Sequence, residues 1–419
     1  MSTRGSTILV AVFAALLLTA CATPVSLEGS WRAWLDSPGG ELPFALEFSR
    51  SGAGWAVVIV NGPERIDVPE VRYADGELEL SLPHYDSRIV ARLDRSVRRF
   101  DGEWSKRSGP DSRSRLAFHA TAGAASRFIP IAEHDRAPAD VAGRWSVDFS
   151  EDDQPAVAVY AAGVDGELIG TFMTVTGDYR YLAGSFEDGR LRLSCFDGAH
   201  AFLFDAELDD TGTLAGDFWS RDTWHETWTA VRNEEARLPD AFTLTRWTGA
   251  RALDSLVFPD LDGIPRSLAD PEFAGRARLL QVFGSWCPNC NDASAYMAEL
   301  DARYRDRGLS IVGLAFEMTG DHGRDAEQVR RYAERHGVEY PLLVAGLHDK
   351  AEASRAFPVL DRVRSYPTTI FMDGEGNVRA IHTGFTGPAT GAAYDELRRE
   401  FDDLIEELLA EPAGQRANP

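Results

Sequence analysis

The sequence is short of cysteine, with 4 in 419 residues, and short of base relative to acid, with 43 Lys and Arg against 66 Asp and Glu. So few cysteines exclude a disulfide-stapled scaffold, and each one has to be read from its own neighbourhood. The formal charge of −23 sets up a field that repels phosphate backbones and anionic headgroups, so nucleic acid is not expected as a partner. Long apolar runs are missing as well. Beyond the N-terminus nothing approaches the roughly 18 apolar residues of a membrane-spanning helix. What is present is ordinary. With 44% hydrophobic and 26% charged residues the chain is neither collagen-like, mucin-like nor wholly disordered, and its length suits about three domains.

The N-terminus has Arg4 in a short polar start, an apolar run from Ile8 to Leu18, and small residues up to Ala20. That run is too short to span a bilayer and reads as a signal-peptide core. The stretch Leu18-Thr19-Ala20-Cys21 resembles the lipobox of bacterial lipoproteins. The resemblance implies diacylation of Cys21, cleavage before it and a membrane anchor without a spanning segment. A plain secreted protein with an incidental Cys21 is the alternative. Ala22 after the lipidated cysteine favours the outer membrane if the cell is Gram-negative. The expected location is therefore the bacterial envelope, lipid-anchored and facing the periplasm.

From Leu27 to about Arg232 short alternating segments are split by Gly, Asp and Pro, which predicts antiparallel strands and tight turns. The segment repeats itself. Gly29-Ser30-Trp31 returns as Gly143-Arg144-Trp145, Gly76-Glu77-Leu78 as Gly189-Arg190-Leu191, and Gly102-Glu103-Trp104 as Gly216-Asp217-Phe218. A nearly constant shift at three separate places argues for tandem duplication. Two similar β-domains packed together, small barrels or sandwiches, are expected. The aromatics of the second copy (Tyr179, Tyr181, Phe196, Phe202, Phe204, Phe218, Trp219, Trp224 and Trp228) are expected to form its core. Asp197, His200, Asp222, His225 and Glu226 lack metal-ligand spacing and read as solvated loop ends, so no metal is expected. Cys195 reads as a small buried hydrophobe, with disulfide exchange as the alternative.

After a junction near Glu234 to Trp247 the pattern becomes strand, helix, strand, helix. The apolar strand Arg278 to Phe283 runs through Gly284-Ser285-Trp286 into Cys287-Pro288-Asn289-Cys290, and Ala293 to Tyr304 has helical periodicity. A Cys-x-x-Cys that opens a helix after a buried strand is suited to a redox dithiol, because the helix start favours thiolate on the first cysteine. Pro288 fits the first helical turn. No second cysteine pair or His-x-x-x-His completes a zinc site.

This region resembles the thioredoxin superfamily, and within it the TlpA/ResA-like thiol:disulfide oxidoreductases of the bacterial envelope. The supporting segments follow in order: Leu309 to Phe316 delivering Glu317, a helix from Asp325 to His336, a short strand Tyr340 to Val344, Ser365-Tyr366-Pro367-Thr368-Thr369, a strand Val378 to Thr383, and a closing helix Ala393 to Leu409. The resemblance implies a thioredoxin-like α/β fold over about Leu253 to Ala410. It implies Cys287 as nucleophile and Cys290 as resolving thiol, with no cofactor beyond their disulfide. Trp286 would shield one flank, Pro367 would lie in a cis peptide opposite the pair, and Glu317 would reach Cys290 and move its proton. One departure stands out. Related reductases often carry a Glu three residues past the second cysteine, where this chain has Ala293.

The organisation read from the sequence is thus a signal peptide at 1–20, β-domains at 21–120 and 141–235 joined by a linker at 121–140, a thioredoxin-like domain at 250–411 and a tail at 412–419. The expected function is a membrane-anchored thiol:disulfide oxidoreductase, in the reductase direction. Its partners would be protein disulfides or dithiols and a membrane electron donor such as a transmembrane thiol reductase. The β-region would set substrate choice. A scaffold lipoprotein with a secondary dithiol is a competing reading. A peroxiredoxin-like peroxidase is another, although Phe283-Gly284-Ser285-Trp286 lacks the Thr and Pro such an enzyme needs before its cysteine.

Overall fold

The computed structural model describes residues 26–123, 126–128, 140–163, 166–249, 255–271 and 277–411. Cys21 and the proposed signal peptide, most of the linker and the tail lie outside the described residues.

The β-region forms two antiparallel nine-stranded meanders with the same strand plan. In the first, strands run from Gly29–Ser37 to Arg113–Ala122, and the last pairs back onto the first. Its two edges, Glu64–Asp67 and Glu70–Ala74, do not pair with each other, so this barrel stays open along one seam. In the second, strands run from Gly143–Phe149 to Trp224–Arg232 and the ring closes completely, because Leu168–Thr174 pairs with Ala156–Ala162 on one side and with Leu182–Glu187 on the other.

The duplication is visible in the packing. The Trp31 indole donates to the Leu27 carbonyl at 2.7 Å, and the Trp145 indole donates to the Val141 carbonyl at 3.0 Å. In both copies an Asp-Gly pair turns a hairpin with positive φ at both residues, Asp75-Gly76 and Asp188-Gly189. That conformation is the one a tight two-residue turn between right-twisted strands requires.

The barrels are not independent. Asn61 of the first exchanges hydrogen bonds with the backbone of Phe196 in the second, at 2.9 and 3.2 Å. The ring of Phe196 lies 4.4 Å from Phe44 and 5.6 Å from Trp104. Phe196, Ala199, Ala201 and Leu203 therefore complete the apolar core of the first barrel. Phe196 is core as expected, but of the neighbouring copy. Of the other aromatics, Phe202, Phe204, Phe218 and Trp228 pack inside the second barrel, whereas Trp224 is 46% exposed. The linker is also partly structural. The Arg127 side chain is buried and donates to the carbonyls of Pro43 and Val60 and to Ser194 Oγ, pinning the chain between the barrels.

The reading of five polar residues as solvated loop ends holds for Asp222 and His225, which are exposed, and fails for three others. Asp197 and Glu226 are buried, and His200 is half-buried. Asp197 accepts from His200 Nδ1 at 3.1 Å and Glu226 accepts from the Trp224 indole at 2.9 Å. Burial is tolerated because each carboxylate has donors within reach.

The C-terminal domain is a five-stranded sheet in the order Leu342–Leu347, Leu309–Glu317, Ala277–Phe283, Thr368–Met372, Val378–Thr383. The first three strands are parallel and the last two antiparallel. Helices α1 (Pro288–Tyr304), α2 (His322–His336), α3 (Lys350–Ala356) and α4 (Ala392–Ala410) surround it. Helix α2 starts three residues before the expected Asp325, because the Asp321 side chain caps it by accepting from Arg324 N–H. Helix α3 and the hairpin Val257–Pro259 with Pro265–Ser267 have no counterpart in the sequence reading; both are too short to carry a periodic signal.

Candidate active site

The central strand Ala277–Phe283 is buried along its whole length and ends against the start of α1. The turn between them is tight. At Gly284 a Cβ would lie 2.2 Å from the Trp286 indole nitrogen, which crosses there to donate to the Phe316 carbonyl at 2.9 Å. Glycine is required because the indole occupies the side-chain space. Trp286 also stacks edge-on against Tyr366 at 5.5 Å and His348 at 5.7 Å, so it walls one side of the site.

Cys287 is the N-cap of α1, and its Sγ accepts from Cys290 N–H at 3.4 Å. Pro288 follows in the first turn, where no N–H is needed. Burial works against a thiolate on Cys287, but hydrogen bonds from the Cys290 thiol and backbone, then the nearby charge of Lys106, outweigh it and hold this thiol below its ordinary range. Cys290 goes the other way. It is fully buried, and burial together with the neighbouring Cys287 pushes its thiol well up. The pair is thereby polarised, with one sulfur ready to ionise and one kept protonated. Among the described residues, Cys195, Cys287 and Cys290 are all free thiols.

The peptide between Tyr366 and Pro367 is cis, and in its thiol form Cys287 donates to the Tyr366 carbonyl at 3.4 Å. Glu317 sits beneath the pair but bonds to neither sulfur. It accepts from Ser285 N–H at 2.8 Å and Ser285 Oγ at 2.7 Å. Burial pushes its carboxyl up to about 8 despite those bonds. A cavity of about 20 Å³, room for one water, touches Glu317, Ser285 and Trp286 on one wall and Tyr85, Asp86 and Arg107 of the first barrel on the other.

Ser285, Tyr366 and Tyr332, whose hydroxyl donates to the Cys290 carbonyl at 2.7 Å, were not singled out by the sequence reading. Ser285 had a signal, since it lies between the strand and the cysteine pair. Cys195 is buried in the core of the second barrel, where burial pushes its thiol well up.

The barrels straddle this face of the domain. The first contributes Lys106, whose ammonium lies 3.4 Å from the Trp286 carbonyl, and the turn Pro83–Tyr85, whose Pro83 and His84 carbonyls accept from Gln328 of α2 at 2.9 and 2.7 Å. The second contributes the Thr176 carbonyl, which accepts from Ser365 Oγ at 2.7 Å, and Asp178, which accepts from Gly387 N–H at 2.6 Å. As a result Cys287 is only 8% exposed. The second barrel also holds an open cavity of about 480 Å³ lined by Phe149, Tyr179, Phe202 and Phe218 with His200 and Arg221.

A Cys-x-x-Cys at a helix start, beside a cis-proline loop and at the end of a five-stranded sheet of this order, defines a thioredoxin-like dithiol domain. The AhpC/TSA family matches this part of the chain, residues 248–381. The chain is similar to the thiol-disulfide oxidoreductase ResA of Halalkalibacterium halodurans, 25% identical over 154 residues that cover 36% of this chain and 73% of that protein. It is also similar to ResA of Geobacillus kaustophilus, 29% identical with 32% and 69% covered, and to the thioredoxin-like protein YneN of Bacillus subtilis, 30% identical with 30% and 65% covered. Among solved structures, a thioredoxin family thiol:disulfide interchange protein from Chlorobium tepidum aligns with a TM-score of 0.29 at 24% identity, over 39% of this chain and 100% of that one.

Proposed function

We propose that the protein is a lipid-anchored thiol:disulfide oxidoreductase of the bacterial envelope that reduces selected protein disulfides. The observation that carries this reading is the polarised pair: Cys287 at a helix start, held below its ordinary range, beside a fully buried Cys290 held above it. The Cys287 thiolate attacks one sulfur of the substrate disulfide, that S–S bond breaks, and the departing substrate sulfur takes up a proton. Cys290 then gives up its proton and attacks Cys287 Sγ. This releases the second substrate thiol and leaves a Cys287–Cys290 disulfide, so two electrons have passed to the substrate. Glu317 is the carboxyl whose charge acts on Cys290, and in this reading it accepts the Cys290 proton, with the one-water cavity beside it available to bridge the gap. Turnover needs a dithiol donor, which in this reading is a transmembrane thiol reductase. No helix among the described residues is long and apolar enough to cross a membrane. Coverage of the dithiol face by both barrels supports the view that the β-region selects the substrate.

The test is the reduction potential of the Cys287–Cys290 couple, equilibrated against dithiothreitol and glutathione buffers. A value near thioredoxin's roughly −270 mV supports the reductase, and one near DsbA's roughly −120 mV reverses the direction. If no disulfide forms between the two sulfurs, the reading fails. Cys290→Ser is expected to accumulate mixed disulfides with substrate at Cys287, and Cys287→Ser to form none; mass spectrometry of trapped adducts distinguishes them.

A further inference from the structure

Lys106 lies on the strand Arg99–Arg107 of the first barrel, 180 positions before the residue it touches, and is only 3% exposed. A buried ammonium is costly unless an anion faces it. Its one polar contact among the described residues is the Trp286 carbonyl, at 3.4 Å. The charges that act on it most are those of Arg221 and Asp197 of the second barrel, Cys287, and Asp86 of the first barrel. It also acts on His200 and on His348 beside Trp286. Both carboxylates are already engaged. Asp86 pairs with Arg107, Arg113 and Arg324, and Asp197 pairs with His200 and Arg180. Arg221 repels it. The group left to balance the Lys106 charge is the sulfur of Cys287, next in sequence to the carbonyl that holds the ammonium.

We propose that Lys106 is a positioning residue for the dithiol, the buried counter-charge of the Cys287 thiolate, so that the active site is assembled from the first β-domain and the thioredoxin-like domain together. The inference rests on the dithiol reading above and deepens it: the β-region supplies part of the site's chemistry as well as its cover. Burial, followed by the repulsion of Arg221, brings the ammonium down to about 8. In the oxidised protein Cys287 carries no charge, and Lys106 then faces no anion of its own.

The experiment follows iodoacetamide alkylation of Cys287 in the reduced full-length chain, located by mass spectrometry, from pH 5 to 10. Lys106→Met is expected to raise the thiolate midpoint and to slow alkylation about tenfold below it, as loss of an adjacent charge does. Lys106→Arg is expected to restore most of the rate. An unchanged midpoint in folded Lys106→Met overturns the proposal. If Lys106→Met does not fold, the 13Cε resonance of Lys106 is titrated in the reduced wild-type chain and in Cys287→Ser. A lower midpoint in Cys287→Ser supports the pair and an identical one overturns it. Neither readout requires that a Cys287–Cys290 disulfide form, so this idea and the oxidoreductase reading fail separately.

Discussion

Glu317 shows how one buried residue ties stability to chemistry. Its carboxyl is pushed from the ordinary 4.5 up to about 8 by burial, so between those values the folded protein holds a proton that the unfolded chain releases. The stability associated with this proton is fully present below about pH 4.5 and is lost as pH rises through 8. Glu317→Gln keeps a group able to bond Ser285 and cannot ionise. It is expected to be more stable than the native chain at pH 8.5, by a few kcal/mol at most, and nearly equal at pH 5. Denaturant unfolding at the two values checks this. An equal difference at both would mean that the carboxyl does not titrate there. The same variant is expected to slow release from a mixed disulfide at Cys287 if Glu317 takes the Cys290 proton.

Among the strands, the duplicated glycines carry a prediction that tests the repeat as a packing unit. A Cβ on Gly102 would lie 2.1 Å from the Val90 carbonyl and 2.5 Å from Ala91 Cα. On Gly216 it would lie 2.0 Å from the Asp205 carbonyl and 2.5 Å from Ala206 Cα. Each glycine lets the neighbouring strand of its own barrel pass close, so alanine has to push backbone aside. Gly102→Ala and Gly216→Ala are each expected to cost about 1–3 kcal/mol, and to similar extents. Denaturant midpoints of the two variants measure this; a loss in one barrel only would mean that the copies no longer pack alike.

Across the whole molecule, Arg180 joins all three units. Its guanidinium pairs with Glu64 of the first barrel at 2.7 Å, with Asp197 of the second at 3.6 Å, and with Asp292 of α1. All four side chains are at most 16% exposed. Removing the cation leaves three buried carboxylates facing one another, which is the expensive way to break such a cluster. Arg180→Met is expected to lose about 3–5 kcal/mol and to release the thioredoxin-like domain from the barrels. Calorimetry should then resolve a second transition and proteases should cut near residues 234–255. A single transition at the native midpoint would show that the cluster does not hold the units together.

Local signals were legible wherever the physics is local. The Cys-x-x-Cys before a helix, the buried strand leading to it, the Tyr366–Pro367 loop and the repeat of Gly29-Ser30-Trp31 at Gly143-Arg144-Trp145 each sit within a few residues of chain, where periodicity, capping and turn chemistry act. Those elements and their order were determined by the sequence alone. Asp197 and Glu226 read as loop ends because their burial is not written in the chain around them, although their donors lie close by, His200 three residues on and Trp224 two residues back. Phe196 reads as core, but that it fills the other barrel depends on how the two barrels dock, with Asn61 bonded to its backbone and Phe44 and Trp104 against its ring. Lys106 meets Trp286, and Arg180 meets Asp292, across more than a hundred residues of intervening chain. A lone lysine or arginine on a strand carries no mark of such a partner, because the pairing exists only once the barrels dock on the dithiol face and water leaves the contact. That docking, and with it the environment of Cys287, was decided by tertiary structure.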